Sequence, residues 1–288
     1  MTRIIIKPVV LQSHRDSFNL YAIGDIHKGE ESFEEAVYKE TLEIIKSDEE
    51  QKLIVWMGDY VTHFPKFDYR SDKRLISKKY SDVLSAYSSI RDDIKPFMKD
   101  TVAILEGNHD ADWFKAEEQD FVSWICTELG VPFAPFIKDK TSPYATYEAY
   151  IRLKVKRVDK IRGGMRNINI VAWHGGGAPR TKGGAVNVLS RPTEVFPLLN
   201  VIMMGHLHRH GVIFDNLLDV DEKERKIVDL ERYYVFTGAF QRGFPEDVST
   251  YVSKKMLPPQ GLGAVKLEIQ PFWRQSDDKM KVKWQKVP

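Results

Sequence analysis

Five short apolar runs, each ending in a polar turn, constrain this chain more than anything else in it. Leu20-Tyr21-Ala22-Ile23 ends in Gly24-Asp25-Ile26-His27, Leu53 to Met57 ends in Gly58-Asp59, and Val102 to Leu105 ends in Gly107-Asn108-His109-Asp110. Ile168 to Trp173 ends in His174-Gly175, and Leu198 to Met204 in Gly205-His206-Leu207-His208. Apolar runs of this length bounded by turn residues read as strands buried on both faces, the strands of an α/β protein. Six of the eight histidines, at 27, 109, 174, 206, 208 and 210, lie at or just past these ends. An apolar core has no use for imidazoles and carboxylates at one edge of a sheet. A ligand site does, because open α/β sheets bind ligands beyond the carboxyl ends of their strands.

The stretches between the runs supply helices. Ser32-Phe33-Glu34-Glu35 has the form of a capping box and predicts a helix over about 33–46, with Phe33, Val37, Thr41 and Ile44 at helical spacing. Apolar residues at 76, 80, 83, 87, 90, 94 and 97 predict one long amphipathic helix, and a third helix is expected over about 115–129, closed by Gly130. Ile4 to Leu11 reads as a first strand. From 131 onward the chain is strand-like: Tyr144 to Val158 alternates apolar with basic residues, and further strands are expected at about 232–240, 263–272 and 279–285. With no repeat, low-complexity tract or marked linker, residues 1–288 are expected to form a single domain.

Composition narrows the setting. No apolar stretch approaches the roughly 18 residues needed to span a bilayer, and no signal peptide is visible, so a cytoplasmic protein is expected. The lone Cys126 excludes an internal disulfide and, lying beside Trp124 and Ile125, reads as a buried inert thiol. A net charge of +2 is too mild to imply nucleic-acid binding by itself.

Collected from the strand ends, Asp25, His27, Asp59, Asn108, His174, His206 and His208 give two carboxylates, one amide oxygen and four imidazoles. That set is too large for one tetrahedral zinc and suits two divalent ions of five or six coordination, with Asp59 placed to bridge. Without thiolates, manganese is the first expectation, with iron or zinc as alternatives.

In these blocks the sequence resembles the calcineurin-like metallophosphoesterase superfamily. Gly24-Asp25-Ile26-His27, Gly58-Asp59, Gly107-Asn108-His109-Asp110, His174 and Gly205-His206-Leu207-His208 match its five signature blocks in order, over roughly residues 18–210. The resemblance implies a four-layer α/β/β/α sandwich of two mixed β-sheets flanked by helices. It also implies one metal on Asp25, His27, Asp59 and His208, and a second on Asp59, Asn108, His174 and His206. His109 would be the catalytic residue assisting the leaving group, and the reaction would be phosphoester hydrolysis by metal-activated water.

The chain departs from the family where many relatives carry Gly-Asp-x-x-Asp-Arg. Here the run is Gly58-Asp59-Tyr60-Val61-Thr62-His63, so the acid that orients the catalytic histidine and the phosphate-gripping arginine are both replaced. That favours a phosphodiester substrate over a protein Ser/Thr phosphatase role. It also makes the chain similar to the nuclease subunits of double-strand-break repair complexes (SbcD-like), so DNA is an alternative substrate and nucleic acid an alternative partner. A phosphomonoesterase or a non-catalytic metal-binding scaffold ranks lower. His63, and Arg180 and Lys182 in the glycine-rich stretch leaving His174, are candidate substrate contacts. The basic strip Arg152 to Arg162 is the candidate track for a nucleic-acid backbone.

Overall fold

The computed structural model of the chain describes residues 4–63, 65, 75–80, 82–130, 147–159, 164–221, 225–246, 249–256, 259–272 and 280–288. Its frame is two mixed β-sheets. One runs β11 (Lys281–Val287), β10 (Ala264–Gln270), β2 (Phe18–Ile23), β3 (Lys52–Trp56) and β4 (Thr101–Ile104). In it β2, β3 and β4 are parallel, and β10 is antiparallel to both its neighbours. The other sheet runs β1 (Ile4–Leu11), β5 (Glu148–Arg157), β6 (Met165–Trp173), β7 (Val201–Met204), β9 (Lys226–Thr237) and β8 (His210–Asp221). There β6, β7 and β9 are parallel.

The sheets pack face to face. Leu20, Ala22, Val55 and Leu267 of one and Leu153, Ile168, Ile170 and Val235 of the other share one apolar cluster. The opposite face of the first sheet, with Tyr21, Ile23, Ile54 and Trp56, is covered by α1 (Glu35–Ser47), α2 (Val83–Ile94) and α4 (Phe121–Leu129). The outer face of the second, with Val171, Ile202 and Met204, is covered by α5 (Lys182–Ser190). Strands covered on both faces must be apolar throughout, which is why β2, β3, β4 and β7 read as unbroken runs. The helices, sheets and their order give the four layers expected.

Several elements differ from the sequence expectation. The long helix over 76–97 is three pieces: a 3₁₀ turn at Lys78–Tyr80, α2, and a second 3₁₀ turn at Lys95–Phe97. Asp82 starts α2 afresh by accepting the Ser85 N–H at 2.7 Å, and Pro96, which has no N–H to give, follows its end. The helix placed over 115–129 is two: α3 (Asn108–Glu117) ends at Glu118 in the left-handed region (φ 57°), and Asp120 caps α4 through Ser123. Gly130 closes α4 as expected. The β8–β9 hairpin was half missed, because β8 leaves Phe214, Leu218 and Val220 exposed and so shows no buried run. Among the described residues no helix is long and apolar enough to cross a membrane. Cys126 is buried.

Candidate metal centre

The turns after β2, β3, β4, β6 and β7 meet at one place. The β2 turn lies along the β3 turn, with the N–H groups of Asp25, Ile26, His27 and Lys28 donating to the carbonyls of Gly58, Asp59, Asp59 and Tyr60 at 2.9, 2.9, 3.1 and 3.0 Å. The β7 turn is tied to the β2 turn by the His206 N–H, which donates to both carboxylate oxygens of Asp25 at 3.0 and 2.9 Å. Two glycines let these turns touch: a Cβ on Gly107 would lie 2.0 Å from Asp59 Oδ1, and one on Gly205 would lie 2.8 Å from Asp25 Oδ2. Asp25, His27, Asp59, His206 and His208 all sit in the left-handed region, with φ of 50°, 54°, 53°, 62° and 50°. That conformation costs a non-glycine residue about 1–2 kcal/mol, and such strain gathers at functional sites.

The donor atoms converge. His208 Nε2 lies 2.9 Å from His27 Nε2 and 3.3 Å from Asp25 Oδ1. His174 Nε2 lies 3.2 Å from Asn108 Oδ1 and 3.2 Å from Asp59 Oδ2, and His206 Nδ1 lies 2.8 Å from the same Asn108 oxygen. Asp25, His27 and His208 form one group able to hold an ion, Asp59, His174 and His206 a second, and His27, Asp59 and His109 a third between them. Atoms sharing one ion at roughly 2.0–2.2 Å from it must lie this close to one another. The seven residues expected from the strand ends are therefore together, with Asp25 and His174 fully buried and His208 15% exposed.

The outward side of each imidazole explains why the inward atom faces the cluster. His174 Nδ1–H donates to the Met57 carbonyl at 2.7 Å, His206 Nε2–H to the Gly177 carbonyl at 3.0 Å, and His27 Nδ1 meets Thr62 Oγ1 at 2.6 Å. With protons spent outward, His206 Nδ1 and Asn108 Oδ1 are two acceptors 2.8 Å apart, which only a proton or a cation between them reconciles. This donor set fits divalent ions.

Electrostatics agree. Burial would raise the Asp59 carboxyl, but His174 and His109 beside it hold it well below the usual carboxylate range. Burial would lower His174, yet Asp59 outweighs it and pushes that imidazole up to about 10. Burial, and then the neighbouring His208, push His27 well down. Asp110 holds the two central turns: its carboxylate accepts the N–H groups of Asp59, Gly107 and Tyr60 and the Tyr87 hydroxyl, at 2.8, 2.9, 3.2 and 2.7 Å. Burial and the Asp59 charge push its carboxyl up, and the donors oppose them.

The remaining candidates fall differently. His109 packs edge-on against His27, ring centroids 4.8 Å apart, with Nε2 4.0 Å from Asp59 Oδ2 and its own N–H donating to Asp59 Oδ1 at 2.9 Å. Thr62, at the position of the missing acid, holds His27 and not His109. His63 is buried, with its Nε2–H donating to the Tyr80 carbonyl at 2.6 Å, so that nitrogen is not offered to a substrate. Arg180 and Lys182 are exposed, Lys182 as the first residue of α5 behind the Thr181 cap. The basic strip divides: Lys154 and Lys156 are exposed, residues 160–162 lie outside the described residues, and Arg157 points inward, 2% exposed, against Asp159 and the Phe272 ring. Sequence reasoning missed the supports Asp110, Gln241 and Gln260. Of these only Asp110 carried a signal, as the last residue of the Gly-Asn-His-Asp block.

Comparison with known proteins places the arrangement. The solved structures that the chain resembles include a double mutant of Vps29 from Entamoeba histolytica, at 11% identity and TM-score 0.41 over 94% of this chain and 99% of that one. Wild-type Vps29 from Entamoeba histolytica complexed with Zn²⁺ is another, at 12% and 0.36 over 94% and 99%. A third is an uncharacterized predicted phosphoesterase from Streptococcus pneumoniae TIGR4, at 9% and 0.36 over 94% and 91%. No curated protein sequence matches. The sequence model of the calcineurin-like phosphoesterases matches residues 18–214, the span that runs from β2 through every turn of the metal centre, and the chain belongs to that family.

Proposed function

We propose that this chain is a phosphodiesterase working with two divalent ions. The observation that carries the reading is the place of Asp59, whose Oδ2 lies 3.2 Å from His174 Nε2 and 4.0 Å from both His27 Nε2 and His109 Nε2. One carboxylate thus belongs to the donor groups on both sides. Asp25, His27, Asp59 and His208 would hold one ion, and Asp59, Asn108, His174 and His206 the other. When bound, such a pair, manganese first and iron or zinc otherwise, supplies Lewis acidity to phosphoryl oxygens and acidifies a water nucleophile.

The chain's own residues do the rest. Met57, Gly177 and Thr62 fix the imidazole orientations, and Asp110 fixes the two turns that carry Asp59 and Asn108. His109 holds a proton at Nε2 for the oxygen that leaves. His63 stands where a guanidinium would grip phosphate and is engaged with the Tyr80 carbonyl, while Thr62, in place of the acid, is engaged with His27. A dianionic monoester loses more from that absence than a diester does. Arg180 and Lys182 remain as exposed cations on the segment that leaves His174 and would meet an anionic substrate at the rim.

The test strips the protein with chelator, reconstitutes it with manganese, counts metal, and offers chromogenic di- and monoesters, cyclic nucleotides and DNA. The expected outcome is about two metals per chain and a higher kcat/KM for a diester than for its matching monoester. A monoester preferred by roughly tenfold reassigns the substrate class, and DNA preferred over every small diester moves the chain to the nuclease branch. Less than about one metal per chain makes the site a non-catalytic scaffold.

A further inference from the structure

Three of the four imidazoles in the metal centre set their outward nitrogen against an oxygen, and His208 does not. Its Nδ1 meets Nε2 of Gln260, while Oε1 of the same amide is buried without a hydrogen bond among the described residues. Gln260 Nε2 also donates to Gln241 Oε1 at 3.1 Å, and Gln241 Nε2 donates in turn to the buried Glu30 carboxylate. In this arrangement Nδ1 of His208 accepts, so the ring proton sits on Nε2, the atom 2.9 Å from His27 Nε2 and 3.3 Å from Asp25 Oδ1. A proton there occupies the lone pair that a cation needs.

The nitrogen and oxygen of a carboxamide exchange places by turning about the last side-chain bond, with almost no change of shape. Turned, Gln260 presents Oε1 to His208, which then carries its proton on Nδ1 and frees Nε2. Gln241 turns with it, so that an N–H again faces an oxygen between the two amides, and the Gln241 oxygen then accepts from the Glu30 carboxyl in its protonated form. The rest of the neighbourhood keeps Gln260 in place. The Gly261 N–H donates to the His208 carbonyl at 2.9 Å, and the Phe240 N–H, next to Gln241, donates to the Asp25 carbonyl at 2.9 Å. Both glutamines lie beyond residue 214, where the family match ends, so this support belongs to this chain's own C-terminal third.

We propose that Gln260, braced by Gln241, is a positioning residue for His208. Its amide oxygen takes the Nδ1 proton and fixes the tautomer whose Nε2 faces a divalent ion. The inference rests on the proposed ligation by His208, and its test separates the two.

The full chain is compared with Gln260→Met, which keeps length and removes both polar atoms, and Gln260→Glu, which keeps size and can only accept. Zinc titration by calorimetry gives the affinities. Long-range nitrogen NMR of the His208 ring, assigned by its loss in His208→Ala, gives the tautomer with and without zinc. Gln260→Met should weaken one of the metal sites by about 10- to 100-fold and mix the His208 tautomers in the metal-free protein. Gln260→Glu should hold the Nδ1–H form and bind zinc at least as well as the native chain. Native affinity in both variants with an unmoved His208 signature overturns the inference and leaves the metal centre standing. His208→Ala retaining the native number of zinc ions overturns the ligation itself. If Gln260→Met does not fold, the comparison of Gln260→Glu with the native chain decides: both should show the Nδ1–H form, and a native chain that carries the ring proton on Nε2 where Gln260→Glu carries it on Nδ1 overturns the inference.

Discussion

Asp110 Oδ2 accepts the backbone N–H of Asp59 at 2.8 Å, so the carboxylate at the centre of the donor cluster is held through its main chain by a second carboxylate that touches no candidate ligand's side-chain donor atom. The same Oδ2 takes the Gly107 N–H at 2.9 Å, while Oδ1 takes Tyr60 and Tyr87. Every partner is a donor.

Asp110→Asn tests that hub. The amide has one acceptor atom where the carboxylate has two, so its NH₂ must face either the Gly107 and Asp59 N–H pair or the Tyr60 N–H and Tyr87 hydroxyl. Leaving buried donors unmet costs roughly 1–3 kcal/mol. Denaturant melts should show that loss, and metal titration should show weaker binding at the Asp59 groups. Unchanged stability would mean that Asp110 is held as the neutral acid.

Asp59→Asn keeps the size of the side chain and removes its charge. Because Asp59 Oδ2 belongs to groups with His174 and with His27, both ions should be lost or weakened together, by 10-fold or more each. Elemental analysis after reconstitution reads this directly. Loss of a single ion would remove Asp59 from the bridging position.

His109→Gln should leave metal content unchanged, because the ring packs on His27 at 4.8 Å between centroids and donor groups remain without it. The effect should depend on the leaving group. A p-nitrophenolate departs as a stable anion and the variant should lose little, whereas an alkyl or nucleoside alcohol needs the proton and should react about 10²–10⁴-fold more slowly. Equal losses on both substrates would assign His109 to holding the phosphoryl group.

Glu30 gives the metal-free protein a pH signature. Burial pushes its carboxyl up from 4.5 to about 7, against the hydrogen bond from Gln241. The folded state then binds this proton more tightly than the unfolded one, so this group's contribution is most favourable below pH 4.5 and is lost as pH rises to about 7. Glu30→Gln removes the titration, and its stability relative to the native chain should rise across that window by about 1.4 kcal/mol per pH unit at most. Parallel pH profiles would show that Glu30 is ionised throughout.

Much of the site was legible because its residues come from strand ends. A strand buried on both faces must be apolar, so the first polar residue after it marks the sheet edge, and Asp25, Asp59, His174 and His206 are all marked in that way, while Asn108 follows two residues after Glu106. The left-handed backbone of Asp25, His27, Asp59, His206 and His208 was not legible, since Asp and His carry no glycine-like signal for it. Arg157 could have been read: it follows Ala149, Ile151, Leu153 and Val155 at period two and shares their buried face, whereas its charge alone suggested the outside. Gln241 and Gln260 could not, because Gln260 meets His208 from 52 residues further along the chain, with Gln241 behind it, and neither belongs to a local pattern.

The tie between the His208 turn and Gly261 bears on the order in which the protein is made. Synthesis runs from the N-terminus, and the turns carrying Asp25, Asp59, Asn108, His174 and His206 leave the ribosome well before the segment that braces them. β10, at 264–270, flanks β2 on the side away from β3, and the Gly261 and Phe240 N–H groups close on the His208 and Asp25 carbonyls. A nascent chain that has reached residue 214 therefore carries every candidate ligand and lacks the walls that hold the first and last of them together. Metal capture in the arrangement described here would be a late event, following the long-range pairing of β10 with β2, the kind of non-local contact that forms slowly.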